Sequence, residues 1–257
     1  MNPQKITAMR EGGHKLGRIR DSLVKFTHPG LTFAAIEAEA QLLIKQVGAK
    51  PSFPTVNNYQ WATCIMKNDA LCHGIPDNQV VADGDLITID IGLINQGYHL
   101  DTSTSFVVGT VPKGVAQFLE VGQKSLAKAI AQVKSGASVY QISRAMQRQV
   151  EKNGCQAVTN LTGHGVGEQL HLSPSIPCVA QKSDKKVILR AGQTLAIEIM
   201  YAAGSADLSL GADKWTYRTT DGSISGMFED TVLVTSTSYE ILTKPSTSGI
   251  IQCSGDT

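Results

Sequence analysis

Four carboxylates and one imidazole in this 257-residue sequence stand where a polar group is costly. Ile87, Ile89 and Ile91 alternate with Thr88, Asp90 and Gly92, which is the period of a half-buried strand. Asp90 therefore sits mid-strand, a poor place for aspartate. Ile94-Asn95-Gln96-Gly97-Tyr98 reads as a hairpin turn, and the returning strand carries Asp101-Thr102-Ser103. A turn centred on Asn95-Gln96 brings Asp90 and Asp101 to near-opposite places, shifted by one if Gly97 makes a bulge. Adjacent carboxylates repel and need a shared proton or a cation between them, unless one is a turn or capping residue facing water. Asp85 is expected to be a residue of that last kind. Glu198 lies inside the apolar run 194–201, and Glu229 opens the apolar run 229–234. Each needs a partner, either Arg190 or Arg218 or a metal ion. His164 is flanked by Gly163 and Gly165, which let the backbone approach closely and aim the ring, and His171 follows. His14, His28 and His99 have no such setting and read as structural or solvent-exposed. Ionised, the four carboxylates carry about −4, which two divalent cations balance; oxygen-rich ligands with one imidazole suit Mn, Fe(II), Co or Zn.

The elements that position these residues follow from apolar periodicity. Residues 7–49 read as two helices, the first with Met9, Leu16, Ile19, Leu23 and Val24 at helical spacing. Pro29-Gly30 breaks it, and Thr32 caps the second helix over 33–47. Strands are predicted within 61–108. The scheme then repeats: a helix opened by Pro112 and running to 133, a break at Ser135-Gly136, a helix over 139–152, and strands within 156–242. This order points to an α+β fold of two half-modules, about 5–109 and 112–243, sharing one sheet; two unrelated α+β runs are the alternative. A single domain is expected over 1–245, with a flexible tail over 246–257.

Composition removes several classes of function. Lys plus Arg is 23 and Asp plus Glu is 22, which excludes the strongly basic balance of a general nucleic-acid binder. Apolar residues make up 42%, enough to build a full core at this length. Apolar stretches are too short to span a bilayer, and the first residues lack the apolar core of a secretory signal. Five cysteines, scattered and without a CxxC pair, point to a reducing compartment, hence the cytosol.

The set Asp90, Asp101, His164, Glu198 and Glu229 resembles the metal ligands of type I methionine aminopeptidases, in peptidase family M24. The surrounding motifs are similar too: Cys72-His73-Gly74-Ile75-Pro76, Asp101-Thr102-Ser103, Gly163-His164-Gly165-Val166-Gly167, Ile197-Glu198 and Phe228-Glu229-Asp230-Thr231. The resemblance implies the duplicated pita-bread fold, an antiparallel sheet covered by helices with pseudo-two-fold halves. It implies two divalent metal ions, with Asp90 chelating one, Asp101 and Glu229 bridging both, and His164 and Glu198 completing the shell. A hydroxide between the ions then attacks the scissile carbonyl, Glu198 moves the proton, His171 steadies the oxyanion and His73 contacts the leaving nitrogen.

The resemblance further implies a side-chain pocket of Tyr59, Cys64, Cys72, Leu170 and Trp215, and a monovalent cation near Asn68 and Ser225. The implied reaction removes the initiator methionine from nascent chains when the second residue is small, by a monomer in transient contact with the ribosome. Ile199, Leu170, Leu172, Leu100 and the pair Met66-Lys67 depart from the family pattern and are expected to alter the pocket. Two readings compete: a divergent aminopeptidase with another side-chain preference, and a non-catalytic binding protein on the same fold. Proline-directed relatives usually carry an extra N-terminal domain, for which the stretch before Cys72-His73 leaves no room.

Overall fold

The computed structural model describes residues 2–244, so the tail expected over 246–257 lies outside the described residues. Four helices recur in two pairs, α1 (Pro3–Phe26), α2 (Phe33–Gln46), α3 (Val115–Ile130) and α4 (Val139–Glu151). The strands of the first half are β1 (Lys50–Pro51), β2 (Thr63–Lys67), β3 (Ala70–Cys72), β4 (Leu86–Asn95) and β5 (Tyr98–Val107). Those of the second half are β6 (Gln156–Ala157), β7 (Thr162–Gly165), β8 (Leu172–Pro177), β9 (Thr194–Ala202), β10 (Leu208–Leu210), β11 (Tyr217–Thr219), β12 (Ser225–Val234) and β13 (Tyr239–Ile241). Helix α1 begins a turn before residue 7. Asn2 caps it, its Oδ1 accepting from the Gln4 and Lys5 amides, and Pro3 fills the first turn, where its missing N–H costs nothing. Helix α3 is shorter than 112–133 because Gly114, at φ 85°, turns the chain just before it. Thr32 caps α2 as expected, accepting from the Ala35 amide at 3.2 Å. Among the described residues, no helix is long and apolar enough to cross a membrane.

The principal sheet runs β1-β4-β5-β12-β9-β7-β8 and is antiparallel throughout; β2 also pairs with β4, β6 with β9 and β13 with β12. The two halves contribute β4-β5 and β12-β9 in mirrored order, and they meet at β5-β12. Apolar side chains on one face of the sheet explain the helices. Ile87, Ile89, Ile91 and Leu93 of β4 pack with Met9, Leu16, Ile19 and Leu23 of α1. Ile197, Ile199 and Tyr201 of β9 pack with Phe118 of α3 and with Ile142, Met146 and Val150 of α4. Burial of these stripes fixes which face each strand turns outward.

The β4-β5 hairpin differs from expectation by one residue. Asn95 pairs with Tyr98, so the turn is the two-residue loop Gln96-Gly97, and both residues are left-handed (φ 51° and 86°). That geometry matches the twist of a tight hairpin, and no bulge forms. Asp90 therefore faces Ser103 and Asp101 faces Gly92, which makes the two aspartates diagonal neighbours on one face rather than direct opposites.

Candidate metal centre

Register alone gathers the five residues. Asp90, Ser103, Glu229 and Glu198 form one continuous row across β4, β5, β12 and β9. The next row holds Gly92 and Asp101, then, beyond the β5-β12 seam, Thr231, Ala196 and His164. Period-two alternation puts both rows on the face turned away from the helices. Each half supplies two carboxylates, and the second half adds the imidazole. Between Asp101 and His164 the row carries only Thr231 and Ala196, which leaves space above it. Ligand atoms of Asp101, His164 and Glu229 lie within 4.8 Å of one another, and His164 Nε2 is 4.0 Å from Asp101 Oδ2.

The glycines around His164 have separate causes. A Cβ on Gly163 would stand 2.6 Å from the Ala196 carbonyl oxygen, and one on Gly165 would collide with the Ser173 carbonyl. Without side chains there, β7 lies close against β9 and β8. His164 Nδ1 donates to its neighbour's carbonyl, Gly165 O, at 3.0 Å. That bond fixes the tautomer and leaves Nε2 with its lone pair directed into the cluster.

Electrostatics make the cluster unstable on its own. Burial raises the carboxyls of Asp90, Glu198 and Glu229 well above the usual range, and the charge of Asp101 raises all three further. Burial pushes Asp101 up to about 7 and holds His164 down at about 4. Neither arginine relieves this: Arg218 pairs with Asp69 at 3.0 Å, and Arg190 is exposed. Asp90 Oδ1, Asp101 Oδ1, Glu229 Oε1 and Ser103 Oγ are buried without a hydrogen-bond partner. Such atoms cost free energy unless something binds them. Oxygen donors, one imidazole and excess negative charge fit hard or borderline divalent cations.

The cluster forms one wall of a cavity of about 400 Å³. Tyr59, Cys64, Cys72, Leu170 and Trp215, the residues the resemblance assigned to the pocket, line the same cavity, with Cys64 paired across the strands with Asp90. The Tyr59 hydroxyl donates to the Thr63 carbonyl at 2.8 Å, and its ring meets Trp215 edge-on at 5.0 Å between centroids. Burial raises the thiols of Cys64 and Cys72 well above their ordinary value, so both are neutral apolar surface. His171 stands at the mouth, 4.5 Å from His164 between ring centroids, and His73 lines the cavity at φ 56°. Burial lowers the pKa of both rings.

Phe53, Met200 and Met227 also line the cavity and were not singled out by sequence. The two methionines were within reach of the same alternation, since each stands two residues from Glu198 or Glu229 on its strand. Phe53 lies on a short 3-10 turn, Phe53–Thr55, that no periodicity marks.

Of the departures from the family pattern, only Leu170 reaches the cavity wall. Ile199 and Leu100 face the helices, contrary to the expectation that they shape the pocket. Lys67 instead serves the turn at 82–85, with its Nζ 3.6 Å from Asp85 Oδ2. Asp85 does not face water as expected; it is half-buried and accepts from the Ala82 amide and from Asn68 Nδ2 at 2.9 Å. Asn68 and Ser225 are neighbours, the Asn68 carbonyl accepting from the Ser225 amide at 2.9 Å, while the Asn68 side chain is engaged with Asp85 and the Leu86 amide. His99 is buried, its Nδ1 2.7 Å from Ser52 Oγ, which is the structural setting expected of it.

Comparison with known proteins gives the family and the fold. The sequence profile of Metallopeptidase family M24 matches residues 7–236. Methionine aminopeptidase 1 of Bacillus subtilis (strain 168) is 38% identical over 242 residues, which cover 94% of this chain and 97% of that one. Methionine aminopeptidase B of Synechocystis sp. is 34% identical over 95% of this chain and 90% of that one. The crystal structure of methionine aminopeptidase from Thermotoga maritima superposes with a TM-score of 0.92 at 33% identity, covering 95% of this chain and 98% of that chain. A prolidase from Pyrococcus furiosus shares the fold alone, at a TM-score of 0.77 and 21% identity, and this chain spans 65% of its length.

Proposed function

The chain belongs to metallopeptidase family M24, with the pita-bread fold of its methionine aminopeptidases, and from that premise we propose that it removes N-terminal methionine from peptides and nascent proteins. One observation carries the proposal. A buried set of four carboxylates and one imidazole, with an oxygen of Asp90, of Asp101 and of Glu229 left without a hydrogen-bond partner, lines a largely apolar cavity. Asp90, Asp101, His164, Glu198 and Glu229 would hold two divalent cations. When bound, those ions supply Lewis-acid polarisation of the scissile amide and a water of lowered pKa. Glu198, already raised by burial, takes a proton from the attacking water at its carboxylate and returns it to the leaving amine. His171 and His73, neutral because burial lowers both, donate N–H to the substrate carbonyl and near the leaving nitrogen.

Methionine suits the apolar wall. An unbranched thioether meets two neutral thiols, Cys64 and Cys72, and the rings of Tyr59 and Trp215, all polarizable partners for sulfur. Leu170 closes that wall, and a confined mouth favours a small second residue. Cytosolic location, a transient ribosome contact, a monomeric state and a monovalent cation near Asn68 and Ser225 belong to the same reading.

The test is release of free methionine from a Met-Ala peptide by protein loaded with Mn(II) or Co(II), with and without a chelator. Chelator-sensitive release is expected, with weaker release from Leu-Ala and Phe-Ala peptides. Loaded protein that binds the ions but releases nothing would instead be a non-catalytic binding protein. Equal or faster release of leucine would make it an aminopeptidase of different preference.

A further inference from the structure

The seam that carries the candidate metal centre lacks an ordinary ladder. β5 and β12 share one register pair, Glu229 with Ser103. Extending that pair by two residues each way sets Thr231 opposite Asp101 and Ser105 opposite Met227. At both places a side-chain hydroxyl takes over the work of a backbone pair. Thr231 Oγ1 accepts from the Asp101 amide at 3.0 Å and donates to the Asp101 carbonyl at 2.8 Å. Ser105 Oγ accepts from the Met227 amide and donates to the Met227 carbonyl, both at 2.9 Å. The two hydroxyls occupy equivalent places in the two halves, and each clamps both backbone groups of the residue facing it. A third hydroxyl, on Thr102, donates to the Glu229 carbonyl at 2.8 Å.

We infer that Thr231 is a positioning residue: its hydroxyl sets the reach of Asp101 toward His164 and Glu229, and so the affinity of the site for divalent cations. The reasoning is geometric. Asp101 belongs to the first half, while His164 and Glu229 belong to the second. Their ligand atoms meet across the seam, where little backbone pairing fixes the spacing. Thr231 is fully buried, and its own amide donates at 3.1 Å to Thr243 Oγ1, just after β13, so the residue that carries the clamp is itself held from the side away from β5. Valine has the same shape but cannot bond Asp101 on either side, which frees that segment of β5 and leaves two buried backbone groups unpaired. Serine keeps the hydroxyl.

The inference rests on the reading that the five residues hold cations, and not on the preference for methionine. Mn(II) binding is measured by calorimetry, and Co(II) binding by its visible absorption, for wild type, Thr231→Val, Thr231→Ser and Ser105→Ala. Thr231→Val is expected to bind Mn(II) about 10–100-fold more weakly, the range for losing a group that orients a metal ligand, with an altered Co(II) spectrum. Thr231→Ser should bind close to wild type. Ser105→Ala, which clamps no ligand residue, should lower thermal stability with Mn(II) affinity unchanged. A folded Thr231→Val with wild-type affinity and spectrum overturns the inference, and equal weakening by Ser105→Ala does so too by reducing the effect to general stability. If Thr231→Val does not fold, Thr102→Val carries the same measurement at Glu229, with the same expected loss and the same overturning result. A wild-type protein that binds neither ion would instead defeat the metal reading itself.

Discussion

Burial makes the four acidic side chains of the centre reluctant to ionise while they face one another, and the free energy of the metal-free protein must follow. Asp101 titrates at about 7 in the folded chain, above its ordinary value, so the folded state holds protons that the unfolded state has released. Stability from such a group is complete below the ordinary carboxylate range and is lost as pH rises through about 7. The histidines act in the opposite sense, since His73, His99, His164 and His171 are all lowered, but their unfolded-state titration, centred near 6.5, is nearly complete by about pH 7.5. From there upward only the raised acids act. The thermal midpoint of chelated protein should therefore fall between about pH 7.5 and 9, carried by the strongly raised carboxyls of Asp90, Glu198 and Glu229, and saturating Mn(II) should remove the slope. A midpoint that rises over that interval contradicts the assignment. For the same reason Glu229→Gln should stabilise the metal-free protein near neutral pH, by about 1–3 kcal/mol, because it removes a buried acid that folding must hold protonated among its acidic neighbours. It should at the same time abolish the response of the melting curve to added Mn(II). Loss of stability in this variant without metal would show that Glu229 is satisfied by something other than a cation.

Elements place these side chains by close approach, and glycine at 163 is the most exacting example. Alanine there needs room that the Ala196 carbonyl already fills, so β7 must move off β9 and carry His164 with it. Gly163→Ala should cost about 1–3 kcal/mol in urea unfolding, as overpacking does, and should weaken Mn(II) binding as well. Thr32→Ala offers the contrast. It removes the α2 cap, far from the centre, and should cost about 1 kcal/mol with metal binding unchanged. If both variants changed metal affinity alike, close packing of β7 would not be what aims His164.

The same distinction explains what could be read from sequence. Alternation around Asp90, the glycines beside His164 and the isolated charges at 198 and 229 were legible because each breaks a local rule. The order of helices and strands was legible because its periods are strong. The hairpin turn was placed one residue early, and the register two residues off, because the difference between a turn at Asn95-Gln96 and one at Gln96-Gly97 lies in two left-handed residues, not in composition. The start of α1 was missed although Asn2-Pro3 is a start signal, since no apolar stripe begins there. Phe53 left no mark, and Ser103 and Thr231 stood inside motifs without a role of their own: what they do arises only from what faces them across a seam or a cavity.

At the scale of the whole molecule, the two halves meet along one sheet, and the acidic side chains of both stand on the same side of it. Repulsion across the β5-β12 seam opposes that union, while the hydroxyl clamps of Thr231, Ser105 and Thr102 hold it. Cations would reverse the sign of the electrostatic contribution and tie the first half, through Asp90 and Asp101, to the second, through His164, Glu198 and Glu229. An ion that binds only the folded chain stabilises it by mass action, about 2.7 kcal/mol at a hundredfold excess over its dissociation constant. Urea unfolding in Mn(II) at that excess should therefore show a gain near this size over chelated protein. Amide exchange should show where the gain arises. Protection should increase most over residues 101–105 and 227–231, on the two sides of the seam, and least in α2, which packs chiefly against α1, β1 and β2 of the first half. Uniform slowing everywhere would mean that the ions stabilise the fold without bridging its halves. No slowing at the seam, with clear binding by calorimetry, would place the cations on one half and remove the reason for carboxylates to come from both.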